Sequence, residues 1–247
     1  MAAGTGAAPL PKVDSLTRQE FFEEAWEYKP GEHVSWIGRT GSGKTELAFQ
    51  LLQHTATVDM PALVLVMKPR DKTVRRWQKK LDWRVVRMWP PVPSVWKPGK
   101  QPGYIVWPMH TRDWEGDELR HREIFQSVLR DSYHSKQPRI VFADEVVSLE
   151  RELHLQRDLV HVWTKGRSME CGLWGATQRP AWVSPEMYSA PEHIFICYDP
   201  TKTVQDRYAE IGGVDPELVK AIVRTLPKYH WLYIRRADYA MCIIEAA

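Results

Sequence analysis

Eight consecutive residues, Gly38-Arg39-Thr40-Gly41-Ser42-Gly43-Lys44-Thr45, constrain this chain more than any other segment. They fit the pattern G-x-x-x-x-G-K-[ST], and their flanks supply the context that such a pattern needs. The stretch His33-Val34-Ser35-Trp36-Ile37 reads as a strand running into the glycines. Beyond them Leu47, Ala48, Leu51 and Leu52 recur at helical spacing, which predicts a helix over residues 44–55 with one buried face. Between a strand and a helix, glycines let the backbone curl so that successive N–H groups point inward, and the helix N-terminus adds its dipole. The result is a polyphosphate cradle. Lys44 is placed to reach the β- and γ-phosphates and Thr45 to set its hydroxyl on Mg²⁺, which makes ATP and Mg²⁺ the expected ligands. The bland alternative is a glycine-rich turn with an incidental Lys-Thr.

A phosphate cradle needs an acid at the end of a second buried strand. Arg139-Ile140-Val141-Phe142-Ala143-Asp144-Glu145 supplies four apolar residues and then two carboxylates. Asp144 is the expected partner of Mg²⁺, and Glu145 is placed to orient and polarise a water for attack on the γ-phosphate. A kinase has no use for that glutamate, so the pair favours hydrolysis; capping of the following helix is the simpler reading. A third strand, Leu173-Trp174-Gly175-Ala176-Thr177, ends in Gln178-Arg179-Pro180. In a parallel sheet its end opens on the same edge, where ligands bind, and Gln178 can then hydrogen-bond the γ-phosphate or the water.

Taken in order, GRTGSGKT, IVFADE and GRSMECGLWGATQRP resemble the FtsK/HerA superfamily of DNA-pumping ATPases, viral and phage genome-packaging ATPases included. The similarity covers residues 33–200. It implies a P-loop NTPase fold of the additional-strand type, a hexameric or similar homo-oligomeric ring, and ATP hydrolysis coupled to movement of double-stranded DNA. The compact chain is most like stand-alone packaging ATPases, which implies a capsid portal or vertex as partner and a host-cytoplasmic or virion-associated location. Ring ATPases of this type insert an arginine from a neighbouring subunit; Arg167, in Lys165-Gly166-Arg167-Ser168, is the favoured finger and Arg179 its rival. Where translocases of this kind carry Asp-Pro-Lys after the second strand, this chain has Val66-Met67-Lys68-Pro69, and no role is carried over there. Two rivals remain at this stage: a small-molecule or nucleotide kinase, and a non-hydrolysing, nucleotide-gated assembly protein.

The net charge is only +3, with 34 Lys+Arg against 31 Asp+Glu. Near-neutrality argues against a nucleic-acid binder until charge is resolved along the chain. Residues 68–100 hold eleven basic residues and two acidic ones, so the rest of the chain is acidic. Six of the twelve tryptophans (77, 83, 89, 96, 107 and 114) lie in or just beyond this stretch. Basic groups interleaved with flat aromatics suit a phosphate backbone, and Arg75, Arg76, Lys79 and Lys80 are the expected DNA contacts. The tryptophans themselves are expected to pack rather than bind.

The remaining pattern predicts an α/β domain, a mostly parallel sheet flanked by helices. Residues 1–13 read as a loose tail, 14–247 as a single domain, 68–114 as a basic Trp/Pro-rich insertion and 229–244 as a C-terminal β-hairpin. Helices are expected at 19–28, 73–81, 115–132, 150–165, 203–211 and 216–225, and further strands at 62–67, 84–88, 104–107 and 193–197. No apolar run approaches the roughly 20 residues of a membrane span, and no secretory leader is visible. Cys171, Cys197 and Cys242 form no framework and suit buried thiols in a reducing compartment. His154 and His161 stand about 10 Å apart on a helix, too far to share one metal.

Overall fold

The computed structural model describes residues 13–94 and 99–247. The expected tail lies outside these residues except for Val13, as do Trp96 and Lys97 of the basic segment. Among the described residues ten strands form one sheet: β1 (Asp14–Leu16), β2 (Val34–Ile37), β3 (Ala62–Leu65), β4 (Arg84–Val86), β5 (Gly103–Val106), β6 (Arg139–Ala143), β7 (Cys171–Thr177), β8 (His193–Cys197), β9 (Trp231–Arg235) and β10 (Ala240–Ile244). Their spatial order is β1-β10-β9-β8-β2-β7-β6-β3-β5-β4. Every pairing from β8 to β4 is parallel; β9 is antiparallel to both neighbours, and β1 runs parallel to β10. β7 stands between β2 and β6, separating the strand before the glycine loop from the strand before the acids.

Helices cover both faces: α1 (Arg18–Glu20, continuing as a π-helical turn to Ala25), α2 (Lys44–Thr55), α3 (Lys72–Leu81), α4 (Trp114–Tyr133), α5 (Val146–Arg151), α6 (Gln156–Lys165), α7 (Glu186–Ser189), α8 (Lys202–Asp206) and α9 (Pro216–Thr225). Side chains alternate across the strands and so divide the core in two. On one face Trp36, Val64, Phe142, Trp174 and Phe195 pack against α2 and α3; on the other Leu63, Val141, Leu173 and Ile196 pack against α4 to α9. The central strands are buried on both sides, which is why they read as continuous apolar runs.

Several elements differ from the sequence reading. The helix expected at 150–165 is two helices, because His154 takes a left-handed φ of +53° and turns the chain while Leu153 and Leu155 stay buried. The first helix is capped by Thr17, whose side chain and that of Glu20 each bond the other's backbone N–H, but it ends at Ala25 rather than residue 28. β1 was not expected at all. Tyr229 and His230 precede β9 instead of starting it. The segment 68–114 is woven into the sheet: it supplies α3, β4 and β5, with β5 paired to β3 and β4 to β5. Trp77, Trp83 and Trp107 are buried in this edge. A Cβ added at Gly103 would come within 2.2 Å of the Trp83 ring, so glycine is what lets β5 pass beneath that tryptophan.

The three cysteines are buried and unbridged. Among the described residues no helix is long and apolar enough to cross a membrane.

Candidate active site

The parallel strands β2, β6 and β7 end on one edge, their last residues in near register, with Ile37 beside Thr177 and Ala143 beside Gly175. Each end delivers polar groups to the same place. β2 releases the chain into residues 38–43, where Gly41 and Gly43 take φ of +76° and +91°, a region that a side chain would strain. α2 then starts at Lys44, whose side chain is 6% exposed and folds over the loop. Its Nζ donates to Gly38 O at 2.7 Å and Arg39 O at 2.8 Å. Burial pulls its pKa down, with Cys197, Glu145 and Asp144 opposing.

Asp144 and Glu145, both buried, follow directly on the last residue of β6. Thr45 Oγ1 donates to Asp144 Oδ1 at 2.6 Å, and Lys68 Nζ donates to Asp144 Oδ2 at 3.3 Å. Burial works to lower the Lys68 pKa, but Asp144 and Asp71 hold it above its ordinary value. Glu145 Oε1 accepts from the Gln178 backbone N–H at 3.3 Å and from Thr177 Oγ1 at 3.4 Å. Burial raises the Glu145 carboxyl above its ordinary value, against the opposing pull of the Gln178 N–H and Lys44. Gln178 closes the ring from the other side: its Oε1 accepts from Thr40 Oγ1 at 2.7 Å. The loop, the acid strand and the strand between them are thus joined by hydrogen bonds around a cavity of about 320 Å³.

The donors here are oxygens, a hydroxyl and a carboxylate already 2.6 Å apart. That set suits Mg²⁺, which takes one or two carboxylates and completes its shell with substrate phosphates and water. Among the described residues no group of three or more His, Cys, Asp or Glu offers another metal site.

The structure therefore brings Gly38 to Thr45, Asp144, Glu145 and Gln178 together. It does not bring Arg167 to them. Arg167 lies in a 3₁₀ turn (Gly166–Met169) before β7, whose seven residues carry it about 20 Å from the site. There it pairs with Glu192 at 2.8 Å. Arg179 is at the right edge but lies over the Trp182 ring, 4.7 Å from its centroid. Two residues were overlooked in the sequence. Lys68 follows β3, the sheet neighbour of β6, and a lysine just past an apolar strand was the signal available. Tyr229, expected in a strand, lines the cavity with Gly43 and Lys44.

Arg75, Arg76, Lys79 and Lys80, four of the five basic residues of α3, do not line this cavity and are exposed, whereas Val74 and Trp77 are buried. Arg76 pairs with Glu46 of α2. Lys80 sits 4.2 Å from the Trp77 ring centroid and Arg75 5.5 Å from that of Trp107. Arg75 and Lys79 also line a surface cavity of about 660 Å³ with Arg70 and Arg87.

No protein-family model and no curated protein matches the chain. Solved structures do. The genome packaging NTPase B204 from Sulfolobus turreted icosahedral virus 2, in complex with AMPPCP, superposes with a TM-score of 0.60 at 17% identity, covering 89% of this chain and 100% of that one. VirB4 of Thermoanaerobacter pseudethanolicus gives 0.60 at 10% identity over 87% of this chain and 89% of that one. The cytoplasmic domain of the Thermomonospora curvata type VII secretion ATPase EccC gives 0.51 at 16% identity, covering 87% of this chain and 25% of that one. At these identities the likeness is one of architecture, and at that level it agrees with the resemblance read from the motifs: the chain shares the α/β fold, with its mostly parallel sheet, of a genome packaging NTPase, VirB4 and a secretion ATPase.

Proposed function

We propose that this chain hydrolyses ATP and couples the hydrolysis to movement of double-stranded DNA, packaging a viral or phage genome as one subunit of a homo-oligomeric ring docked at a capsid portal or vertex. One observation carries the reading. Glu145 and Gln178 are tied to each other, and Gln178 to Thr40 of the glycine loop, so a buried carboxylate stands beside the phosphate cradle with its position fixed. The fold shared with a genome packaging NTPase supports the assignment.

In this reading the loop N–H groups and Lys44 hold the β- and γ-phosphates, and Thr45 and Asp144 hold Mg²⁺. When bound, Mg²⁺ neutralises charge developing on the transferred phosphoryl group. Glu145 orients a water and accepts its proton; a carboxylate with a raised pKa is better matched to that task than a free glutamate. Lys68 shares Asp144 with Thr45 and holds the carboxylate in place beside the loop. Gln178, held by Thr40 in the structure, exchanges that partner for the γ-phosphate or the water and registers which nucleotide is present. Since Arg167 lies at the far edge of its own sheet, it serves as a finger only from a neighbouring subunit. The exposed face of α3 meets the DNA backbone, with contacts to phosphate and so little sequence preference.

The test is ATP turnover with and without duplex DNA for the wild type and Glu145→Gln. Stimulation by DNA is expected, and the variant should lose about 10²–10⁴-fold in rate while still binding ATP. A wild-type protein that transfers phosphoryl to a small acceptor is a kinase instead, and one that binds ATP without turnover is an assembly factor.

A further inference from the structure

On the opposite flank of the glycine loop from Asp144 lies a second cavity, of about 540 Å³. The two share Thr40, Gly41 and Tyr229, so they meet along one wall. Their linings differ. Beyond the shared wall the first is lined by Gly43 and by polar and charged side chains such as Lys44, Glu46 and Asp144; the second has Arg39, Ser42 and Lys228 but also Cys197 and Leu226, both buried, Pro227 and the Tyr198 ring. A cradle for phosphates thus adjoins a compartment lined in part by aromatic and apolar groups, as the two ends of a nucleotide require.

Tyr229 is the most constrained part of that wall. It takes φ of +67°, where a non-glycine residue is strained, and it stays 44% exposed. A Cβ placed on Gly43 would sit 3.5 Å from its ring, so the ring leans on the loop itself. Lys228 lies 4.7 Å from the ring centroid. Arg18 anchors the strap: its Nη2 donates to Tyr229 O at 3.3 Å, its Nη1 to Gln50 Oε1 of α2 at 3.4 Å and its Nε to Glu245 O at 2.9 Å. One guanidinium thus ties the tyrosine's backbone to the helix that begins at the phosphate loop.

We infer that this compartment receives the nucleobase of the bound nucleoside triphosphate, stacked on Tyr229. The Tyr229 ring stays 44% exposed beside the phosphate site despite its contacts with the loop and Lys228, and a base offers it a flat π-face; such stacking tolerates any base and adds considerably to affinity. The inference rests on the reading of residues 38–45 as the triphosphate site, and the experiment separates the two.

Calorimetry would compare Mg-ATP with Mg-tripolyphosphate, which has the phosphates but no base, on wild type, Tyr229→Ala and Tyr229→Phe. Tyr229→Ala should weaken ATP about tenfold, leave tripolyphosphate unchanged and thereby show an intact phosphate loop; Tyr229→Phe should bind ATP as the wild type does. Equal loss for both ligands, or no loss for either, overturns the base subsite while leaving the phosphate site standing. Failure of wild type to bind tripolyphosphate and ATP overturns both.

Discussion

Two regions of this molecule are rich in charge, and they handle it in opposite ways. Where β2, β6 and β7 end, the charged groups are few, and the two carboxylates are buried and held by partners distant in sequence: Asp144 by Thr45 and Lys68, Glu145 by the Gln178 N–H. At the β4–β5 edge they are many and exposed, laid over buried tryptophans: Lys80 over Trp77, Arg75 over Trp107. Buried charge costs solvation, so it persists only with fixed geometry, which is what a reaction needs. Exposed charge costs little and is screened by salt, so it acts as a field rather than as a set of positions. The aromatics at this edge carry the packing and leave the cations outside.

The largest effect that tests this contrast should come from an aromatic residue. Trp77 stacks on Phe49 of α2, with ring planes 6° apart, and its Nε1 donates to Glu46 at 2.9 Å. Trp77→Ala should cost about 3–5 kcal/mol in denaturant unfolding while ATP affinity under folding conditions stays within about twofold; joint loss would show that edge and site are one cooperative unit.

Next in size is the pH profile of turnover. Because burial raises the Glu145 carboxyl, the ionised base is lost at a higher pH than for a free glutamate. The rate should fall on acidification about tenfold per pH unit below that raised value, and this limb should vanish in the residual rate of Glu145→Gln. An acid limb at the free-glutamate position would mean that another group governs it.

The smallest effects belong to the exposed cations. Replacing Arg75, Arg76, Lys79 and Lys80 by Gln together should lower the slope of log affinity for duplex DNA against log salt by up to about four, near one per residue. Arg76, already paired with Glu46, should contribute least. An unchanged slope places the duplex on another face.

Most of the site was legible because its chemistry is local. A glycine loop between a strand and a helix, and an acid pair closing an apolar strand, declare themselves within ten residues. Of the tryptophans expected to pack, Trp77, Trp83 and Trp107 are buried, whereas Trp114 is 80% exposed and Trp96 lies outside the described residues. What was not legible depends on neighbours distant in sequence. Lys68 matters because β3 lies beside β6, a pairing that no stretch of residues announces. The break between α5 and α6 rests on a left-handed histidine, which composition does not reveal. Tyr229 carries the alternation of a strand, yet its positive φ turns it back toward Gly43. The polar run Asp14-Ser15-Leu16 is a strand only because β10 is there to pair with it.

The margins of the sheet also bear on how copies of the chain can meet. A ten-stranded sheet finishes on each side with a strand of only three residues, β1 and β4. Such short margins leave few free backbone donors and acceptors for another sheet to extend. A ring of these subunits would therefore be joined by side chains on helices and loops, whose contacts can slip and re-form as nucleotide is spent. A continuous ladder from subunit to subunit would lock the proposed ring and leave it unable to act as a motor.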